Sequence, residues 1–394
     1  MSLNPDERVS KALRHQEPDR IPIDSGGTVS SIHIDAYNNL LKYLGIEEEA
    51  AAQYDNRVAY PSDKILKYLG VDFRYIYPDL GTYWTFKEEK DGTVTDEWGA
   101  KYKQVGDYME IFHNPLKGRS FEDVKKYKFP DTSDPKRYKT LRERALRIKN
   151  DSNYSLVYAP CFCIYYNLWG LRGMEQASMD LLIDPEISSY LLDKSTDWAM
   201  GMLESSLDRI GDLIDIFWVG DDWGTQTGPI ISPDLFRKEM VPRHKKLISF
   251  AKKKTNAKCA YHSCGSVYWC MNDLIEMGVE ILHPLQANAV GNENTAKIKK
   301  EFGNRMTFHG GIDNQGTFHL DKRIMLVEVL KKIKYLAPDG GYIFSSGHNI
   351  QPTCPPENIV ALFECAKEFG TYPIDIDKIN KEIEKLEKSL KKDR

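Results

Sequence analysis

The chain has 394 residues, 41% of them apolar, and a formal net charge of −4. It is long enough for a large core, and nothing in its charge balance offers a basic field to nucleic acid. No stretch reaches the roughly 18 consecutive apolar residues of a membrane span, the opening Met1 to Arg8 has no signal-peptide core, and seven cysteines without a dense framework read as reduced cytoplasmic thiols, some free to act as ligands.

In chain order, Pro5 to His15 reads as a helix and Arg20-Ile-Pro-Ile-Asp24 as a short strand. Helical patterns follow from Ile32 to Leu44 and from Ser62 to Leu69, then a strand from Val71 to Tyr77. The rhythm changes between Thr82 and Phe112. Tyr83–Lys87, Thr93–Trp98, Lys101–Gln104 and Tyr108–Phe112 alternate polar and apolar residues, and Lys90-Asp91-Gly92 is a hairpin signal. This predicts an inserted antiparallel β subdomain over 82–112, which as a plain surface flap would need no chemistry.

From there, strands and helices alternate. Ser155–Ala159 is a strand, and Met174–Ile210 a helix interrupted near Asp184-Pro185. Asp215–Val219 is a strand running into Gly220-Asp221-Asp222. Ser232-Pro233 starts a helix to about Lys253, with Ser as cap and Pro in the first turn. Lys258–His262, Val279–His283, Met306–His309 and Gly341–Ser345 complete the strands. Ile21, Phe73, Leu156, Phe217, Ala260, Ile281, Thr307 and Ile343 mark eight in all. Eight strands alternating with helices predict an α/β protein of the (β/α)8 TIM barrel type over residues 1–370, rather than an open doubly wound sheet, because no Gly-x-Gly-x-x-Gly follows the first strand. The tail, 371–394, spaces Ile379, Ile383, Leu386 and Leu390 as a C-terminal amphipathic helix, docked on its own barrel or serving a homodimer.

A barrel places its chemistry at the C-terminal strand ends. There lie Asp24, Asp221, Asp222, His262, Cys264, His283, His309, Asp313 and His348. His262 and Cys264 are two apart on a strand and project to the same side. With Cys354, in the loop after the eighth strand, they would give zinc three protein ligands and one open position, as in a catalytic site. The bland readings stay open: a hydrogen-bonded core histidine and small apolar cysteines, with Cys161 and Cys163 as a rival pair. A sulfur-rich site suits a bound thiol held as thiolate better than a hydrolytic water. Asp221 and Asp222 could donate a proton, bind substrate or cap a helix. His348 could be a general acid, and Tyr158, Trp223 and the neighbouring aromatics Tyr165, Tyr166, Trp169, Tyr268 and Trp269 could floor a pocket or simply pack.

Several stretches carry a resemblance: Gly220-Asp-Asp-Trp-Gly-Thr-Gln-Thr-Gly-Pro229, Ile231-Ser-Pro-Asp-Leu-Phe-Arg237, His262-Ser-Cys-Gly265, Gly310-Gly-Ile-Asp313, and Gly347-His348 followed by Pro355-Pro-Glu-Asn-Ile359. From Arg20 to about Phe369 the chain resembles the uroporphyrinogen decarboxylase superfamily, whose members are (β/α)8 barrels. The resemblance divides by chemistry. The decarboxylases carry an N-terminal arginine-rich motif for substrate carboxylates and use no metal; here only Arg20 of that motif is present. The zinc- and corrinoid-dependent methyltransferase branch, similar to methylcobamide:coenzyme M methyltransferases, holds zinc with His-x-Cys and a distant Cys. His262, Cys264 and Cys354 match that pattern. The resemblance therefore implies transfer of a methyl group between a corrinoid (cobamide) and a thiol or a methoxylated small molecule. Asp221, Asp222 and His348 would be catalytic, and Asp24, Tyr158, Trp223 and Asp313 would bind substrate. No Asp-x-His-x-x-Gly cobalamin motif occurs, so the cobamide would come from a partner corrinoid protein. The alternatives are a decarboxylase of a porphyrinogen-like substrate using Asp222 and His348, and a binding protein that keeps the fold without turnover.

Overall fold

The computed structural model describes residues 2–53, 57–79, 87–151 and 153–393. In chain order its strands are β1 (Phe73–Ile76), β2 (Lys87–Glu88), β3 (Val94–Thr95), β4 (Lys101–Val105), β5 (Tyr108–His113), β6 (Ser155–Phe162), β7 (Ile216–Gly220), β8 (Lys258–His262), β9 (Ile281–His283), β10 (Thr307–His309) and β11 (Tyr342–Ile343). Among the described residues, β1-β6-β7-β8-β9-β10-β11 form one seven-stranded sheet, and every pairing in it is parallel. Both faces of such a sheet are covered, which is why β7 reads Ile-Phe-Trp-Val-Gly and is buried at every position.

The segment expected as a first strand, Arg20–Asp24, makes a single parallel bridge, Ile23 to Phe344, instead of a ladder. Asp24 N–H donates to Phe344 O at 2.8 Å, and on the other side Asp72 N–H donates to Ile23 O at 2.8 Å. Pro22 has no N–H for a longer ladder.

Helices return the chain between strands: Pro185–Ile210 after β6, Val241–Lys252 after β7, Met271–Met277 after β8, Thr295–Phe302 after β9, Lys322–Leu336 after β10 and Pro356–Phe369 after β11. The helix expected to run unbroken from Ser232 to Lys253 is divided. Pro233–Leu235 passes into a π turn over Phe236–Met240 before Val241–Lys252 begins. Pro242 has no N–H to continue the ladder, and Val241 N–H reaches back five residues to Phe236 O.

The insert is a four-stranded sheet, β2-β3-β4-β5, antiparallel throughout. Of its predicted first strand, Tyr83–Lys87, residues 83–86 lie outside the described residues. Val94, Ala100 and Tyr102 form its own small core. The β4–β5 turn rests on the rest of the protein: His33 Nε2 lies 3.2 Å from Asp107 O, and the Tyr108 hydroxyl donates to Gln351 in the loop after β11. The C-terminal helix Ile376–Lys392 docks on its own chain, with Ile379 buried and Lys334 Nζ donating to Asn380 Oδ1 at 2.7 Å. No helix among the described residues is long and apolar enough to cross a membrane.

Candidate metal centre

Parallel pairing sets the geometry. The register aligns Gly220 of β7 with His262 of β8, and His262 with His283 of β9. The loops that follow β7 and β8 interlock. Ser263 Oγ accepts from Trp223 N–H at 2.9 Å, and Asp222 Oδ1 accepts from Cys264 N–H at 2.7 Å. Gly224 and Gly265 cross backbone to backbone, so a Cβ on either would strike the other loop, and Gly265 has φ +78°. This crossing turns the chain sharply enough to bring Cys264 back beside His262.

Cys264 Sγ lies 3.4 Å from His262 Nε2. With Zn–N about 2.05 Å and Zn–S about 2.3 Å, two ligands on a tetrahedral zinc sit about 3.6 Å apart. The pair therefore fits one ion. The ligand atoms of His262, Cys264 and His348 all lie within 4.8 Å of one another. Burial, then His309, pushes His262 down to about 4; burial, then His262, does the same to His348 against the pull of Asp222. Both imidazoles are neutral at pH 7, the form that ligates. The partly exposed Asp222 carboxylate is 3.6 Å from His262 Nε2. Burial raises its carboxyl above the ordinary range, and the Cys264 N–H and His348 draw it back.

The other expected residues fall in different places. Cys354 is buried in the His348 loop, but it is not in the three-residue group; its Sγ lies 3.7 Å from Pro355 O, and burial, then Glu357, pushes its thiol up to about 12. Asp221 turns away from the group. Its Oδ2 accepts from Ile164 and Tyr165 N–H at 2.8 Å each, and its Oδ1 from Tyr166 N–H at 2.7 Å. His244 Nε2 is 3.0 Å from the same Oδ2. Asp221 thus caps the helix Tyr165–Arg172 from a different loop. Asp24 is buried, accepting from Ser30 and Tyr75 hydroxyls at 2.7 Å each. Tyr158 faces the helix layer, with its hydroxyl at Ser206 Oγ. Trp223 is buried, donating to Tyr261 at 2.7 Å and stacked on Tyr165. Asp313 Oδ1 holds its own loop through Asn288 and the Gln315 and Gly316 N–H groups.

His283 and His309, both at predicted strand ends, lie together beside His262 in the structure. His262 Nδ1 is 3.0 Å from His283 Nδ1, the His283 and His309 rings are 4.6 Å apart, and His309 Nε2 is 3.0 Å from Asp24 Oδ2. The signal was available: three consecutive strands, β8, β9 and β10, each end in histidine.

Among similar curated proteins, the uroporphyrinogen decarboxylase of Geobacter metallireducens is 24% identical over 265 residues, 66% of this chain and 73% of that one. The Geobacter sulfurreducens protein of the same name gives the same figures, and that of Chlorobaculum tepidum is 25% identical over 204 residues, 50% of this chain and 54% of that one. A solved structure, a methyltransferase from Methanosarcina mazei, superposes with TM-score 0.65 at 16% identity, covering 93% of this chain and 99% of that one, which is a likeness of fold. The family described as uroporphyrinogen decarboxylase (URO-D) matches residues 94–369, well over half the chain. The chain therefore belongs to the uroporphyrinogen decarboxylase family.

Proposed function

We propose that this protein is a zinc-dependent methyltransferase. It would move a methyl group between a cobamide on a separate corrinoid protein and a thiol or methoxylated small molecule, in the cytoplasm. The observation that carries this is the His262–Cys264 pair at 3.4 Å, with His348 in the same 4.8 Å group, at the C-terminal ends of a parallel sheet. With this reading goes the closed (β/α)8 barrel, its eighth stave the Arg20–Asp24 segment; the bridge from Ile23 to Phe344 supports it.

His262, Cys264 and Cys354 would hold the ion. His348, on the same loop as Cys354, would be a fourth donor in the resting site. Zinc bound there supplies a Lewis acid that favours the anionic form of a bound thiol. The chain's own groups do the rest. Asp222 is fixed by the Cys264 N–H at the edge of the group, where it can accept a proton from an arriving thiol. His348, neutral and on the loop after β11, can take that proton in turn.

The names of the curated relatives favour a second reading, decarboxylation of a porphyrinogen-like substrate. Against it, Arg20 is already committed: Nη1 and Nη2 donate to the two Asp72 carboxylate oxygens at 2.7 and 2.9 Å. Metal content separates the readings. We expect about one zinc per chain in the wild type, with affinity reduced in Cys264→Ser and Cys354→Ser. A wild type that neither holds zinc nor takes it up returns the decarboxylase to first place, to be checked by porphyrin product.

A further inference from the structure

Of the two His262 ring nitrogens, Nε2 faces Cys264 and Asp222, at 3.4 and 3.6 Å. The other, Nδ1, lies 3.0 Å from His283 Nδ1. Two ring nitrogens share a hydrogen bond only when one carries a proton and the other a lone pair. A ligating Nε2 must keep its lone pair, so in a neutral ring the proton sits on Nδ1. His283 must then accept at its own Nδ1 and carry its proton on Nε2. That Nε2 is buried and has no hydrogen-bond partner among the described residues, on a side chain with 0% exposure. Packing alone gives no reason for a histidine here, since an apolar side chain would fill the space without burying an unpaired N–H.

The surroundings hold the His283 ring in place. Trp218 lies 5.1 Å away and His309 4.6 Å, centroid to centroid. His309 is in turn set against Asp24, which Ser30 and Tyr75 fix by hydrogen bonds. The support for His262 thus extends through β9 and β10 to the N-terminal segment.

We propose that His283 is a positioning residue for the metal centre: it accepts the Nδ1–H of His262 and thereby sets the tautomer and ring plane that present Nε2 to the ion. This rests on the metal reading above. A metal-ligating histidine ordinarily gives its second N–H to a carboxylate, a carbonyl or water; here a second imidazole takes it.

The test compares His283→Leu, which removes the acceptor, with His283→Asn, whose side-chain oxygen stands close to where Nδ1 was. Zinc affinity is measured by competition with a chromophoric chelator, and the cobalt(II)-substituted proteins are compared by their visible absorption. The thermal midpoint of each metal-free protein reports on folding. We expect His283→Leu to bind zinc about 10- to 100-fold more weakly, with altered cobalt bands. His283→Asn should stay near wild type in both. Wild-type affinity in His283→Leu overturns the inference, and so does a His283→Asn as weak as His283→Leu. If His283→Leu is not recovered folded, His283→Met makes the same comparison. A wild-type chain that binds no zinc overturns the metal reading and this inference with it, whereas a zinc-binding wild type beside an unaffected His283→Leu overturns this inference alone.

Discussion

Replacing Asp221 by alanine separates a structural carboxylate from a reacting one. Asp221 is 3% exposed, and its two oxygens take three N–H groups, those of Ile164, Tyr165 and Tyr166. The helix these groups open has no cap of its own, since Ile164 occupies the N-cap position without a side-chain bond. Hydrogen bonds to a charged acceptor contribute about 1.5–3 kcal/mol each. The three share one carboxylate and do not add fully, so the expected loss is about 3–5 kcal/mol, the usual cost of breaking a buried charged contact. With a urea slope of about 3–4 kcal/mol/M for a chain of this size, the unfolding midpoint should fall by roughly 1 M at unchanged slope. Asp221→Asn should lose about half as much, because its one carbonyl oxygen can still take the Ile164 and Tyr165 N–H groups. Equilibrium urea unfolding followed by tryptophan fluorescence measures both variants. An unchanged midpoint in Asp221→Ala, together with lost methyl transfer, would refute the capping argument and return Asp221 to the chemistry.

Gly265→Ala should lose stability and zinc affinity together, because φ is +78° and the added Cβ meets the Gly224 backbone; wild-type zinc affinity in that variant would show that the loop crossing does not place Cys264. Two carboxylates should show opposite pH dependence. Burial alone would raise Asp19, but hydrogen bonds from Arg8 and the Leu3 N–H bring it down to about 2. Its contribution, up to about 2 kcal/mol, is present above the unfolded value near 4 and is lost as pH falls toward 2. Asp19→Asn should therefore weaken the protein at pH 7 and matter little near pH 2, by urea midpoints at each pH. Burial raises Asp96 to about 6 despite its bonds from Tyr102 and the Ala100 N–H. Here the folded chain binds the extra proton, so stability falls as pH rises from about 4 to 6; Asp96→Asn should remove that slope, and a slope that persists would place its source elsewhere.

Where the sequence was informative, the signal was local. β8 occupies Lys258–His262 as the alternation and the following turn indicate, and the interruption at Asp184-Pro185 divides two helices there. His-x-Cys at a strand end placed two donors on one side because alternation along a strand is a property of covalent geometry. The insert was legible for the same reason, as period-2 strands around the Asp91-Gly92 turn. Where the sequence left several readings open, the deciding partner was remote. Asp221 and Asp222 are adjacent and chemically alike, yet one caps the helix Tyr165–Arg172 and the other holds Cys264 N–H. No local pattern distinguishes them, since the groups that claim Asp221 lie more than fifty residues upstream.

The sequence by itself determined the family, the alternation of strands and helices, the insert, the docking tail's apolar stripe, and the His262–Cys264 pair. These follow from periodicity, turn chemistry and motif spacing, all written in neighbouring residues. Only the tertiary structure decided which distant side chains lie beside that pair. It set the ligand atoms of His348 within 4.8 Å of those of His262 and Cys264, and aligned His262 with His283 through the register of two parallel strands. Register and loop path depend on packing across the whole sheet, so the contacts they create are a property of the assembled fold rather than of any one stretch of chain.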